Sequence, residues 1–377
     1  MIEPTRRSFL FGAAGAAVAA GALPASLPDA RRAPAEPQDV LVLGGTGFLG
    51  PHFVRSALAR GHKVTLFHRG QTNPDLFPEL EHLAGDREKG ELDALRDRTF
   101  DAVIDTSGYV PGHVDATARL FADRAKHYQF ISSVSVYAAF GNGTEPVDED
   151  GEVLTVDDDT AAGVTTIRGS MAHYGALKAR CEAAAAAAMP ERTCVVRPGL
   201  IVGPGDRSDR FTWWPVRVDR GGEVLAPGDP DGRVQAIDVR DLADWMVHLL
   251  EERATGTYNA VGFAGPVSMQ ELLHGCKCAT PSPVSFTWAS EEFLQENEVG
   301  AWMEMPLWIP RGGRGPIANQ RAMAQGLAFR PLADTIRDTL QWARTERGDR
   351  PFERTGVRPE REAELLEKWH ARAASGR

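Results

Sequence analysis

Tyr174 and Lys178 lie four residues apart in the alanine-rich segment HYGALKARCEAAAAAA, which predicts a helix. Residues four apart on a helix share one face, so the phenol and the ammonium are expected one turn from each other. A phenol has an ordinary pKa of about 10 and is a poor acid–base group at neutral pH, but a nearby ammonium lowers that pKa. The pair therefore predicts proton transfer by Tyr174.

Serine hydroxyls cluster in the segment FISSVSVY, residues 130–137, at the end of an apolar run that predicts a β-strand. Ligands of parallel α/β sheets bind beyond the carboxyl ends of the strands, which is where Ser132, Ser133 and Ser135 fall. A hydroxyl there can hold a substrate carbonyl while Tyr174 gives or takes a proton and a nicotinamide carries the hydride. These residue types indicate a carbonyl or secondary-alcohol substrate.

A glycine-rich turn, DVLVLGGTGFLG, lies much earlier, between an apolar run and a segment with apolar residues at helical spacing. Such a strand-to-helix turn lets backbone N–H groups approach a pyrophosphate, which the positive end of the helix also attracts. The glycines fit two spacings of dinucleotide sites, G-x-G-x-x-G and G-x-x-G-x-x-G. A tight turn without a ligand is the alternative. We expect the cofactor to contact Gly44, Gly47, Phe48, Leu49 and Gly50.

The choice of cofactor depends on the end of the second predicted strand, HKVTLFHRG, where His68 and Arg69 stand in place of a carboxylate. An acidic residue there bonds the ribose 2′-hydroxyl of NAD, whereas an arginine accommodates the 2′-phosphate of NADP. Arg69 can bind that phosphate through two N–H groups, and His68 adds a donor. We therefore expect NADP, with NAD as the alternative. Asp86 is expected to bond the adenine amino group, and the bare backbone at Gly108 to pass close to the cofactor.

Predicted strands and helices alternate along the chain, which is typical of an α/β fold with a Rossmann-type, doubly wound parallel sheet. With 377 residues, the chain is long enough for this sheet and a smaller C-terminal substrate lobe. We assign residues 36–200 to the dinucleotide-binding domain and 201–350 mainly to the lobe. Residues 233–262 are expected to return to the Rossmann sheet, and 351–377 to form a charged C-terminal tail.

Residues 1–35 show the order of regions that is typical of a twin-arginine signal peptide. Arg6 and Arg7 precede a weakly hydrophobic segment of glycine and alanine, and small residues follow. A buried or membrane-anchoring N-terminal helix is the alternative. We expect the folded protein to be exported by the twin-arginine machinery, to the periplasm or the outside of the cell, with its cofactor bound. No membrane association is expected of the mature form.

The net charge and the cysteines of the chain indicate which partners and ligands to expect. The formal net charge is −10, and it becomes −12 without residues 1–35, which contain four arginines, one glutamate and one aspartate. Nucleic-acid binding relies on a basic surface, so no nucleic-acid partner is expected. We find no zinc-type spacing of cysteine and histidine and predict no metal site. Cys276 and Cys278 could form a small disulfide or remain thiols.

Together these motifs resemble the extended short-chain dehydrogenase/reductase superfamily, and within it the NAD-dependent epimerase/dehydratase family. The resemblance implies that Ser133 is the catalytic hydroxyl, that Tyr174 is the acid–base group and that Lys178 also holds the nicotinamide ribose. It further implies a homodimer, because many members pair through helices that flank the active site. The matching segments fall between Val40 and Leu250, and they are residues 44–50, Asp86, FISSVSVY, YGALK and VVRPGLIVGPGD.

Departures from the family pattern reduce the number of reactions that the resemblance implies. Val134 and Ser135 stand where the sugar-nucleotide 4,6-dehydratases have Asp-Glu, which argues against water elimination. Leu177 replaces the serine or threonine that often precedes the lysine. The resemblance thus implies an NAD(P)-dependent oxidoreductase or epimerase acting on a carbohydrate-like small molecule, and epimerisation would suit an exported protein because it consumes no net cofactor. The alternative is a non-catalytic binding protein related to RNA-binding members of the superfamily.

The C-terminal half contains all eight tryptophans of the chain. Trp213 and Trp214 are candidates for stacking on a sugar face, and packing inside the lobe is the alternative. Arg207, Arg210 and Arg233 could bind an anionic group of the substrate or remain solvated surface charges.

Overall fold

The computed structural model describes residues 36–139, 145–310 and 315–374, so the expected signal peptide lies outside the described residues. The strands, in chain order, are β1 (Asp39–Leu43), β2 (Lys63–His68), β3 (Glu81–Ala84), β4 (Phe100–Asp105), β5 (Ala125–Ile131), β6 (Thr193–Pro198), β7 (Ile201–Val202), β8 (Gly222–Pro227), β9 (Arg233–Val234), β10 (Ile237–Asp238), β11 (Gly256–Ala260), β12 (Val267–Ser268) and β13 (Val284–Ala289).

The helices of the same residues are α1 (Leu49–Ala59), α2 (Pro111–Leu120), α3 (Asp158–Gly163), α4 (Tyr174–Ala188), α5 (Trp213–Asp219), α6 (Val239–Glu251), α7 (Met269–Cys278), α8 (Glu291–Glu296), α9 (Gln320–Ala324), α10 (Leu332–Trp342) and α11 (Pro359–Ala374). Short 3-10 helices occur in several loops, and a π-helical turn extends α10 to Arg347. None of these helices is both long and apolar enough to cross a membrane.

Seven parallel strands form one sheet in the order β3-β2-β1-β4-β5-β6-β11. The order reverses between β1 and β4, so the loops that follow these two strands diverge and leave a crevice at the carboxyl edge. The predicted fold class, a Rossmann-type doubly wound sheet, is confirmed.

Helices cover both faces of this sheet. α1 packs against α6 on one face, and α2 packs against α4 on the other. Residues 40–43 of β1 are fully buried as a result. This double covering explains why β1 is a continuous apolar run instead of an alternating one.

The lobe begins after β6 and has a separate hydrophobic core with three two-stranded sheets, β7–β10, β8–β13 and β9–β12. The chain then returns to the Rossmann layer through α6, and β11 pairs with β6 at the edge of the main sheet. Trp213 and Trp214 are 2% and 0% exposed in the lobe core, and the Trp214 indole N–H donates to the Pro306 carbonyl at 2.7 Å. Neither can stack on a ligand, so they pack the lobe.

The charged tail predicted for residues 351–377 contains α11, which packs on the lobe. Leu365 is 1% exposed in the lobe core. The Glu362 carboxylate accepts hydrogen bonds from the Arg217 Nε at 2.6 Å and from the Leu225 amide at 3.1 Å. A helix whose polar face is charged reads as a solvated tail in the sequence, although its apolar face is part of a core.

The glycine turn between β1 and α1 has a backbone that other residues could not adopt. Gly44 and Gly45 have φ angles of +111° and +89°. A Cβ on Gly50 would lie 2.5 Å from the Gly45 Cα, so α1 can approach the turn this closely only without a side chain there. At Gly47, by contrast, a Cβ would meet no atom within 4 Å.

These contacts predict different effects of substitution at two glycines of the same motif. We expect Gly50→Ala to reduce the free energy of unfolding by about 1–3 kcal/mol, because backbone must move to admit the methyl group. Gly47→Ala should change it by less than about 0.5 kcal/mol, because the position is open and does not require a positive φ. Urea unfolding of both variants measures the difference. Equal destabilisation would contradict the packing role of Gly50.

Candidate active site

A cavity of about 950 Å³ opens at the carboxyl edge of the sheet, between the β1–α1 turn and the lobe. Its wall combines the glycine turn with residues from the ends of β2, β4 and β5, the start of α4, and the lobe. The predicted site residues that line it are Gly44, Gly47, Phe48, Leu49, Gly50, His68, Arg69, Asp86, Ser133, Tyr174 and Lys178.

The glycine turn offers bare backbone to one end of this cavity. Gly47 lines it with open space where a side chain would stand. α1 begins directly afterwards at Leu49, with no side-chain cap and no acidic residue in its first turn. The first N–H groups of a helix lack intrahelical partners and carry partial positive charge, so this end of the cavity suits a pyrophosphate.

The Lys178 ammonium lies in the middle of the site and is 2% exposed. Its Nζ donates to the Gly108 carbonyl at 2.7 Å and to the Ile131 carbonyl at 2.6 Å. The same Nζ lies 4.8 Å from the centre of the Tyr109 ring and 4.6 Å from that of Phe130. The lysine is therefore fixed against the ends of β4 and β5.

Burial moves the pKa values of both members of the Tyr-Lys pair away from those expected. It raises the pKa of Tyr174 to about 12 and lowers that of Lys178 to about 8. We expected Lys178 to lower the tyrosine pKa, but in the ligand-free chain burial outweighs any such effect. The groups that act to lower the pKa of Tyr174 are the Ser133 hydroxyl, through a hydrogen bond, and the Arg210 charge.

Ser133 is held at the start of a 3-10 turn after β5, where its Oγ accepts the Ser135 amide at 3.1 Å. This bond occupies an acceptor position and leaves the hydroxyl proton available. Ser132 differs, because its Oγ is buried without a hydrogen-bond partner among the described residues. The structure thus brings Ser133 and Tyr174 together, with Ser135 also on the cavity wall.

A buried polar network behind the site holds α4 in position. Arg197 of β6 donates to both oxygens of Glu182 on α4 at 3.0 and 2.6 Å, and to the Tyr137 hydroxyl at 2.8 Å. That hydroxyl donates to the Asn259 side-chain oxygen on β11 at 2.7 Å. Tyr137 is therefore a structural anchor, although it lies close to Ser133 in the sequence.

His68 does not offer the free donor that we expected. Its Nδ1 accepts the Gly70 amide at 3.0 Å, so the proton of the neutral ring is on Nε2, which lies 2.8 Å from His82 Nδ1. His82 Nε2 in turn lies 2.9 Å from the Phe77 carbonyl and donates to it. Burial, with the neighbouring His82, lowers the pKa of His68, so the neutral ring is favoured. Both nitrogens are occupied, and His68 orders the loop instead of binding phosphate.

Arg69 has a carboxylate partner that the sequence did not reveal. Its Nη1 lies 3.6 Å from the Glu88 Oε1, and both side chains are partly exposed on the cavity wall. Glu88 follows β3, outside the sequence patterns that predict cofactor contacts. Its amide also donates to Asp86 Oδ1 at 3.0 Å, so Asp86 caps this turn while it lines the cavity. An arginine and a glutamate thus face the same place.

Gly108 does not line the cavity among the described residues. A Cβ there would lie 2.6 Å from the Phe130 ring and 2.7 Å from Val114, so packing requires the glycine, while its carbonyl accepts from Lys178. The cavity wall nearby includes Arg87, which the sequence analysis missed. Its guanidinium donates to both oxygens of buried Asp105 at 2.7 and 3.0 Å.

The arginines of the lobe differ in position. Arg210 and Arg233 line the cavity, whereas Arg207 is exposed and donates to the Asn73 side-chain oxygen at 3.0 Å. Cys276 and Cys278 are free thiols, the first buried and the second exposed. No group of histidine, cysteine and carboxylate residues within the described ranges is arranged to hold a metal ion.

The sequence profile of the NAD dependent epimerase/dehydratase family matches residues 40–261. This range extends from β1 to just beyond β11, and it includes the glycine turn, Ser133, Tyr174 and Lys178.

Three relatives share parts of this sequence. The bifunctional UDP-glucose 4-epimerase and UDP-xylose 4-epimerase 3 of Arabidopsis thaliana is 33% identical over 132 residues, which are 26% of this chain and only 38% of that protein. The dTDP-4-dehydro-6-deoxy-D-allose reductase of Streptomyces bikiniensis is 29% identical over 265 residues, 62% of this chain and 78% of the relative. The chloroplast stem-loop binding protein of 41 kDa b of Arabidopsis thaliana is 24% identical over 273 residues, 67% of each chain.

Solved structures share the fold at lower identity. The Bordetella bronchiseptica enzyme WbmH in complex with NAD+ has a TM-score of 0.59 and 18% identity, over 82% of this chain and 99% of the other. A human epimerase family protein with NADPH has a TM-score of 0.55 and 22% identity, over 80% and 99%.

The lowered pKa of Lys178 makes stability depend on pH. Between pH 8 and 10.5 the unfolded lysine keeps its proton while the folded one has lost it, so the folded state gains stability as the pH rises. Lys178→Met lacks this gain. We therefore expect the unfolding free energy of the wild type, minus that of Lys178→Met, to rise by roughly 3 kcal/mol between pH 8 and pH 10.5.

Urea unfolding at several pH values measures this shift. Lys126→Met is the matched control, because that lysine is 62% exposed. A constant difference between wild type and Lys178→Met would show that the buried ammonium has an ordinary pKa.

Proposed function

Because the chain belongs to the NAD dependent epimerase/dehydratase family, we propose that it is an NAD(P)-dependent epimerase or reductase of extended short-chain dehydrogenase type. It acts on a carbonyl or secondary alcohol of a carbohydrate-like small molecule, with Ser133, Tyr174 and Lys178 as its catalytic groups. One observation carries this proposal. A single cavity contains both the bare glycine turn and the Ser133–Tyr174 pair, so a dinucleotide bound at one end reaches the acid–base group at the other.

The positions of Ser133 and Tyr174 suggest how a proton is transferred to and from the substrate. In the reducing direction, Ser133 donates a hydrogen bond to the substrate carbonyl oxygen and Tyr174 gives its phenolic proton to that oxygen. In the oxidising direction, Tyr174 takes the proton of the alcohol. The nicotinamide supplies or accepts the hydride at the carbon when it is bound.

Lys178 acts by its charge and its fixed position. A phenolate is costly in this buried place, as the raised pKa of Tyr174 shows. A cation on the same helix face offsets part of this cost when the phenol gives up its proton. The two backbone carbonyls fix the ammonium, and its remaining N–H is available for a hydroxyl of the nicotinamide ribose.

The chain's residues fit a nicotinamide dinucleotide. The pyrophosphate would lie against Gly47 and the first N–H groups of α1, and Asp86 would lie near the adenine. Arg69 and Glu88 would determine the choice between the two cofactors, because one suits a 2′-phosphate and the other accepts from a 2′-hydroxyl. We favour NADP, since Arg69 is the cation closest in the chain to the end of β2, with NAD as the alternative.

The carbohydrate-like substrate is proposed from the relatives that act on sugar nucleotides. Both an epimerase and a reductase occur among them. We also propose that residues 1–35 direct twin-arginine export. An exported enzyme lacks a free nicotinamide pool, so epimerisation, which oxidises and then re-reduces its substrate, suits a retained cofactor. Homodimer formation remains a proposal from the family resemblance.

The acid–base role of Tyr174 has a direct test. We expect Tyr174→Phe to lower kcat about 10²- to 10⁴-fold with little change in KM, because the variant keeps the ring and loses the proton. The measurement is nicotinamide absorbance during turnover of a carbonyl sugar or its alcohol. Tyr258→Phe is the control, since that hydroxyl donates to the Thr255 carbonyl away from the cavity. Unchanged turnover in Tyr174→Phe would refute the assigned role.

The cofactor proposal is tested by mass spectrometry of the exported, folded protein after denaturation. We expect near-stoichiometric release of NADP or NAD, and the mass of the chain in the same sample reports whether residues 1–35 have been removed. Arg69→Ala should lower the ratio of NADP to NAD affinity, and Glu88→Gln should raise it. A ratio that neither variant changes would refute this assignment.

A non-catalytic binding protein is the second possibility, favoured by the likeness to the chloroplast stem-loop binding protein. The net charge of −10 opposes RNA binding by the chain as a whole. A purified protein that releases no dinucleotide and binds neither one on titration would favour this function over the enzyme.

A further inference from the structure

Arg210 presents an open guanidinium to the cavity from the lobe side. Its Nε donates to the Ser208 hydroxyl at 3.1 Å, and its guanidinium carbon lies 5.7 Å from the centre of the Trp302 ring. Neither terminal nitrogen has a hydrogen-bond partner among the described residues. An arginine cannot give up its proton at physiological pH, so the group stays charged and keeps donors for an anion.

Three other arginines whose side chains are largely buried form pairs with carboxylates. Arg87 donates to both oxygens of Asp105, Arg197 to both oxygens of Glu182, and Arg347 to both oxygens of Asp209. Each pair removes the cost of a charge away from water. Arg210 has no such carboxylate, which marks it as a group whose partner comes from elsewhere.

Two carboxyl groups lie close to Arg210 in the sequence, and neither forms an ion pair with it among the described residues. Asp209 pairs with Arg347. Asp206 lines the cavity and is 3% exposed, but its two oxygens accept from the Ser208 amide at 2.8 Å and the Ser208 hydroxyl at 2.9 Å. Burial raises the pKa of Asp206. Its charge acts on Arg210, but Asp206 forms no ion pair with it among the described residues, so both terminal nitrogens of the guanidinium keep their donors. A single guanidinium with two free donors matches one planar, bidentate anion.

Arg210 also lies near the reacting groups. Its charge acts on Tyr174 to lower the tyrosine pKa, and both residues line the same cavity. Arg233, which the lobe also contributes to this cavity, is exposed on β9. An anion held by Arg210 would thus stand close to Tyr174.

We propose that Arg210, stacked on Trp302, binds a carboxylate of the substrate close to the carbon that is oxidised or reduced. Arg210 is then a specificity-determining residue, and the substrate class is a sugar acid. The planar guanidinium can donate two parallel hydrogen bonds to a carboxylate. This inference rests on the proposed function for the reaction, but the binding of the acid can be measured without turnover.

The test is calorimetric titration of the cofactor-loaded protein with a panel of hexuronates and hexonates, each paired with its neutral hexose or alditol. At least one acid should bind more tightly than its neutral counterpart. Arg210→Gln should weaken the binding of that acid about 10- to 100-fold and leave the affinity for the neutral compound unchanged. Arg210→Lys should recover part of the loss, because it keeps the charge without the fork. Arg207→Gln is the matched control, since Arg207 lies outside the cavity.

Three results would overturn the proposal. One is that no acid binds better than its neutral partner, and another is that Arg210→Gln binds the acid as the wild type does. The third is that a nucleoside diphosphate, and no sugar acid, loses affinity in Arg210→Gln, which would assign Arg210 to a phosphate. Tyr174→Phe separates this inference from the proposed function. That variant should still bind the acid, so a failure of the catalytic assignment appears only in turnover.

Discussion

The buried ammonium of Lys178 connects the elements on which the candidate site depends. It lies on α4, and its two hydrogen bonds reach the carbonyl after β4 and the last carbonyl of β5. A charge this far from water is tolerated because carbonyl dipoles and aromatic faces surround it. The result is that Tyr174, one turn away on the same helix, has a fixed position relative to the sheet edge. A surface lysine would not impose such a constraint.

A second constraint comes from the close packing at the start of α1. A Cβ on Gly50 would lie 2.5 Å from the Gly45 Cα, so the start of α1 packs directly on the glycine turn that lines the cavity. The positive end of the helix and the buried cation then act on one cavity. Such a site favours a ligand that is anionic in its middle and reactive at one end, as a nicotinamide dinucleotide is.

The sequence predicts the features that depend on local patterns. The glycine turn and the alternation of strands and helices are of this kind, because residue spacing within short segments determines them. The site residues that it missed depend on contacts between distant segments. The pairing of His68 with His82, and of Arg69 with Glu88, requires the register of β2 against β3. No pattern within either strand contains that register.

The lobe also contains features that sequence patterns alone do not predict. Trp213 and Trp214 have the composition of a ligand-binding surface, but whether an aromatic residue stacks on a ligand or packs a core depends on tertiary burial. The unpaired state of Arg210 is equally invisible in the sequence, since it follows from where the carboxylates of other segments point. Electrostatic compensation is a property of the assembled chain.

The connection between lobe and sheet has a consequence for biosynthesis. The seventh strand, β11, is formed by residues 256–260, after the lobe segments that contain β7, β8, β9 and β10. While the chain emerges from the ribosome, β6 therefore has an unpaired edge until most of the first half of the lobe has been synthesised. Unpaired strand edges promote wrong pairing between chains. Expression of residues 36–200 alone would thus leave a sheet prone to aggregation, because β11, the strand that covers the edge of β6, would be missing.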